Sequence, residues 1–135
     1  MHDTASITTF DLVRVFPDAD GETHFEDVSI SWDNAEELLT KTGWASYELA
    51  AERPFIKQSP PGVAMSWHNS GYRMLVFQTG GVREAEVSDG EVRQFGPGSV
   101  LLFEDTTGRG HQTRSVGAEP VTFLVLALPE EGLSW

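Results

Sequence analysis

Apolar and polar residues alternate with a period of two along most of this chain, in short runs broken by Gly, Pro and Asp. Phe10–Phe16 and His24–Ile30 predict two N-terminal strands joined by the turn Pro17-Asp18-Ala19-Asp20-Gly21. From Phe55 the chain reads as β. Strand-like runs follow at Val63–His68, Met74–Gln78, Val82–Val87, Val92–Phe95, Val100–Phe103, His111–Val116 and Val121–Leu128. Between them lie turn signals such as Pro60-Pro61-Gly62, Gly80-Gly81, Gly96-Pro97-Gly98 and Thr107-Gly108-Arg109-Gly110. Ser88-Asp89-Gly90 between two alternating runs marks a hairpin. One stretch departs from this period. Residues 33–42 predict a short helix, with Asp33 as N-cap, Glu36 three positions on and Gly43 as the stop. Residues 44–52 either extend it or form a further turn, and Pro129 to Trp135 read as a tail.

Many short strands spaced by turns predict an antiparallel sandwich or small barrel. The 135 residues suit one domain, 1–135, with a barrel core at about 55–128 and the N-terminal strands and helical insert at about 8–54. A net charge of −12 argues against nucleic acid and anionic membranes as partners, since both are held by Lys and Arg. With no cysteine, disulfides, zinc ribbons, iron–sulfur clusters and thiol nucleophiles are excluded. No apolar run is long enough for a membrane helix, and Met1-His2-Asp3-Thr4 does not open a signal peptide, so a cytoplasmic protein is expected. The glycine pairs lack the strand–helix setting of a phosphate loop, and no Gly-x-Ser-x-Gly elbow is present.

The spacing of certain residues is more specific. Gly62 is followed by His68 after five residues, then Ser70, Met74 and Gly81, in the pattern G-x5-H-x-S-x3-M-x6-G. Later, Gly108 and His111 stand as G-x2-H, with Thr106 before them, Ser115 after them and Gly98 upstream. These two stretches resemble the paired motifs of the cupin superfamily. The first family motif reads G-x5-H-x-H-x3-E-x6-G. Ser70 therefore stands where the family has its second His, and Met74 where it has its Glu. Asp105 to His111 also resembles a turn of small bacterial cupins. The resemblance implies an all-β, cupin-like double-stranded β-barrel (jelly roll) with a short helical insertion, and a homodimer.

Strand parity then gives a candidate cavity. If His68 points inward, so do Ala64, Ser66 and Ser70. If Met74 does, so do Val76 and Gln78, and with His111 go Thr113 and Ser115. A few polar groups on an apolar wall make a small-molecule pocket. His68 and His111 are the candidate catalytic acid/base pair. Gln78, Arg73, Ser66, Ser70, Met74, Thr113 and His24 are candidate substrate-binding residues, Arg73 as a carboxylate clamp at the mouth and His24 as a lid. The plainer alternatives are satisfied interior histidines, an Arg73 paired with an acid, and an Asp105 that caps its turn.

No cofactor is expected, because two imidazoles alone hold a metal weakly. A divalent ion (Fe, Mn, Ni, Zn or Cu) on His68 and His111 would need a third ligand from Gln78, Glu104 or His24. Three functions stay open at this point. The first is a metal-independent lyase, isomerase or cyclase acting on a small carbonyl or carboxylate compound. The second is a non-catalytic ligand-binding barrel, and the third a metal-dependent dioxygenase or isomerase with atypical ligands.

Overall fold

The computed structural model describes residues 9–32, 41 and 49–130. Its strands are β1 (Thr9–Pro17), β2 (Thr23–Ser31), β3 (Glu52–Ser59), β4 (Ala64–His68) and β5 (Met74–Gly80). They continue with β6 (Val82–Val87), β7 (Val92–Phe95), β8 (Val100–Phe103), β9 (His111–Val116) and β10 (Val121–Ala127).

Strands β3 to β10 form one long antiparallel hairpin rolled over on itself. The pairs β3–β10, β4–β9, β5–β8 and β6–β7 are its rungs. Rolling also sets β10 beside β5 and β9 beside β6, again antiparallel. The result is β3-β10-β5-β8 in one layer and β4-β9-β6-β7 in the other, which is a jelly roll. The hairpin β1–β2 widens the first layer to six strands by adding β1 parallel to β8. No described strand of one sheet pairs with a strand of the other, so the double-stranded barrel of the sequence reading is an open sandwich with edges at β2, β3, β4 and β7.

Two apolar clusters hold the layers. Val15, Phe25, Ala85, Val87, Phe95 and Leu101 fill one end of the space between the sheets. On the outer face of the six-stranded sheet, Leu12, Ile30, Leu75, Leu102 and Leu128 pack with Leu49. The larger sheet is thus apolar on both faces. In β8, Leu101 and Leu102 are both fully buried although they point to opposite sides.

The helix expected over 33–42 falls outside the described residues, Lys41 apart. The end of that region is corrected, because Glu52 opens strand β3. The sequence reading makes the chain β from Phe55 but marks no strand between there and Val63, for a physical reason. Strand β3 is an edge strand, exposed almost throughout, and it carries Pro54, so it shows neither alternation nor an apolar face. No described helix is long and apolar enough to cross a membrane.

His24 corrects another expectation. It does not reach the cavity. Its Nδ1 and Nε2 each lie 2.8 Å from a carboxylate, Asp89 in the β6–β7 turn and Asp18 in the β1–β2 turn. The hydrogen bonds to Asp18 and Asp89 raise its pKa above the ordinary 6.5. The folded-state value exceeds the unfolded one, so the stabilisation is full below pH 6.5 and fades as pH rises through the raised value. The urea midpoint of His24→Ala should therefore fall below wild type in acid and converge with it above that window. A pH-independent difference would contradict this role.

Candidate active site

The half of the sandwich that the core does not fill is a cavity of about 450 Å³. Small-molecule sites commonly span about 300–1,000 Å³. Its walls are largely apolar, with Met74, Val76, Phe103, Val121, Phe123 and Val125 among them. Among the described residues, Lys57, Arg83 and Arg114 line it and no Asp or Glu does. That is a marked local reversal in a chain of charge −12.

His68 ends β4 and His111 opens β9, and the two are direct cross-strand partners. Their ring centroids are 4.5 Å apart. Gly110 makes this approach possible. Its φ is +73°, and a Cβ there would sit 2.2 Å from the His68 carbonyl oxygen. The Nδ1 of His68 is 2.7 Å from the Ser66 carbonyl oxygen, an acceptor only, so Nδ1 is the donor. The Nδ1 of His111 donates to the carboxylate of Asp105. Asp105 is wholly buried, and its other oxygen accepts the Ser70 hydroxyl at 2.8 Å. Both Nε2 atoms are left without a hydrogen-bond partner in the described structure. Two imidazoles, each fixed at Nδ1 and free at Nε2, therefore share one cavity wall.

Most of the other candidates are redistributed. Ser70, Met74 and Thr113 do line the cavity. Ser66 does not. The β4–β9 register slips between Met65 and His68, so three steps along β4 match two along β9. This bulge reverses the parity, turning Met65 inward and Ser66 to the outer face beside Glu84 and Glu86. Gln78 is buried but structural. Its Nε2 donates to the carbonyls of Gly81 at 3.0 Å and Phe95 at 2.8 Å, tying the β5–β6 turn to β7. Arg73 donates from Nε to Glu104 at 2.8 Å and from Nη1 to the Pro129 carbonyl at 2.9 Å. Arg14 shares Glu104, so Arg73 is a fold clasp outside the cavity.

Two residues of the site escaped the sequence reading. Asp105 was assigned to its turn, yet both side-chain oxygens serve Ser70 and His111. Arg83 lies on the inward face of β6 with Ala85 and Val87. Its Cζ stands 4.3 Å from the Phe123 ring centroid and 5.5 Å from that of Phe103. Its Nε and Nη2 are buried with no hydrogen-bond partner. Burial pushes its pKa down to about 10. The signal for it was present, since the parity of Val82–Val87 sets Arg83 on the face of Ala85 and Val87.

A cupin metal centre draws three His and one Glu. At the corresponding motif positions stand two imidazoles, a thioether and a hydroxyl already given to Asp105. The three candidate third ligands are engaged elsewhere, His24 with Asp18 and Asp89, Gln78 with backbone, and Glu104 with Arg14 and Arg73. No group of three His, Asp or Glu side chains among the described residues is arranged to hold a metal ion. These residues do not reproduce the family's metal set.

No family model matches the chain, and no curated protein matches it. Among solved structures, one similar chain is a predicted oxalate decarboxylase from Thermotoga maritima. It is 16% identical at a TM-score of 0.47, over 95% of this chain and 97% of that one. Another is a conserved protein of unknown function from Streptococcus pyogenes, 20% identical at a TM-score of 0.45. That match covers 58% of this chain and 65% of the other. Likenesses of this size carry no assignment, and the functional reading rests on the site.

Proposed function

We propose that the chain is a cupin-type enzyme that runs metal-independent acid/base chemistry on a small carbonyl or carboxylate compound. The observation that carries this reading is the imidazole pair, held at Nδ1 by the Ser66 carbonyl and the Asp105 carboxylate with both Nε2 atoms free. A histidine oriented from behind by a carboxylate is a base whose imidazolium form is stabilised as it arises. His111 is then the base that removes a proton from a carbon next to a carbonyl. The electron pair moves onto the carbonyl oxygen as an enolate. The proton returns to another atom of the same molecule from His111, or from His68 when that ring is protonated. Isomerisation, elimination and cyclisation all begin in this way.

The test is incubation in deuterium oxide with phenylpyruvate and with acetoacetate, followed by proton NMR. Wild type should exchange the acidic C–H well above the buffer rate. The double variant His68→Ala/His111→Ala should lose about 10²-fold or more of that enhancement. Exchange no faster than buffer, or undiminished in the double variant, would contradict the acid/base reading. A compound that binds and is recovered undeuterated would favour a binding protein instead.

A further inference from the structure

The geometry points to Arg83 as the anion-binding group of this cavity, and to a monocarboxylate with a flat apolar body as its occupant. The inference rests on the proposed small-molecule reading of the cavity and names the ligand class. Arg14, Arg73, Arg93, Arg109 and Arg114 each face a Glu or Asp. The exposed Arg53 lies over the Tyr72 ring, and the cavity-lining Arg83 faces no Asp or Glu among the described residues. An unpaired buried guanidinium is costly in a folded protein. It is retained where something else supplies the counter-charge.

The two orphan atoms say what that is. Nε and Nη2 form one side-on edge of the guanidinium, with parallel N–H bonds at the spacing of the two oxygens of a carboxylate. The rings of Phe123 and Phe103 keep the plane from swinging toward solvent. One edge takes one carboxylate, and among the described residues the other cations on the wall are the exposed Lys57 and Arg114, which is paired with Glu84. Phe103 also links this edge to the histidines, with its ring centroid 4.8 Å from that of His111. A ligand anchored at Arg83 thus extends along an apolar wall toward the two Nε2 atoms.

Cinnamate and its neutral isostere cinnamamide are the probes, measured by calorimetric titration. Wild type should bind cinnamate at least about tenfold more tightly than the amide, as for a desolvated charge-assisted pair. Arg83→Gln should erase that preference. Arg83→Lys, which keeps the charge but not the paired edge, should fall between. Equal affinity for both probes, no binding of either at millimolar concentration, or a preference that survives in Arg83→Gln would overturn the assignment. The acid/base reading is scored separately by deuterium exchange. Carboxylate selectivity without exchange sinks that reading alone, and exchange without selectivity sinks the Arg83 site alone.

Discussion

Arg83→Met should make the protein more stable. Core-lining substitutions usually destabilise, so the sign is itself informative. The guanidinium has no carboxylate opposite it among the described residues and keeps two buried nitrogens, Nε and Nη2, unsatisfied. The drop of its pKa to about 10 corresponds to a penalty on the order of 3 kcal/mol for the charged form. The two aromatic faces return about 0.5–2 kcal/mol of this. Met has similar length and needs no partner. The expected net gain is about 1–2 kcal/mol, or a melting temperature several degrees higher. The pH dependence follows from the sign of the shift. The folded-state pKa lies below the unfolded one, so the penalty is complete below about pH 10 and fades only above it. The gain should therefore be constant between pH 5 and pH 9. A less stable Arg83→Met would mean that the guanidinium already has a partner. A more stable variant that has lost carboxylate selectivity would show stability given up for binding.

The second large effect is expected at Asp105. Its carboxylate is wholly buried and satisfied by the Ser70 hydroxyl and by Nδ1–H of His111. Asp105→Ala leaves both donors unpaired in the interior and should cost about 3–5 kcal/mol, read from urea unfolding. Asp105→Asn keeps shape and volume but removes the charge that stabilises an imidazolium. The fold should persist, while the exchange rate falls about 10²- to 10⁴-fold with KM little changed. A structural role alone predicts the opposite pattern, with stability lost and kcat kept per folded molecule. Asp105 does not touch the ligand cavity, so it is a positioning residue.

Periodicity made most of the fold legible. Four strands, Val82–Val87, Val92–Phe95, Val100–Phe103 and His111–Val116, lie where the strand-like runs of the sequence set them. Turn residues marked most breaks because they take conformations other residues resist. What alternation cannot show is a strand with no buried face, such as β3, or an irregularity inside a strand. The bulge between Met65 and His68 is the clearest case. One extra residue put Ser66 outside and Met65 inside, while His68 and His111 both line the cavity. Gln78 and Arg73 were misread because polarity alone does not separate a group that meets a ligand from one that closes backbone carbonyls or an ion pair. Arg83 and Asp105 were overlooked because their meaning lies in who stands opposite them. The sequence contains 21 possible partners for an arginine and does not say which one is missing.

The central claim is that two imidazoles present free Nε2 atoms to an anion-selective cavity. Long-range ¹H–¹⁵N correlation of the histidine rings tests it most directly, at pH 8, where imidazoles are ordinarily neutral. The account predicts that His68 and His111 both carry their proton on Nδ1, and that both Nε2 signals move as cinnamate is added. Either ring protonated on Nε2, or Nε2 signals unmoved by the ligand, would contradict it.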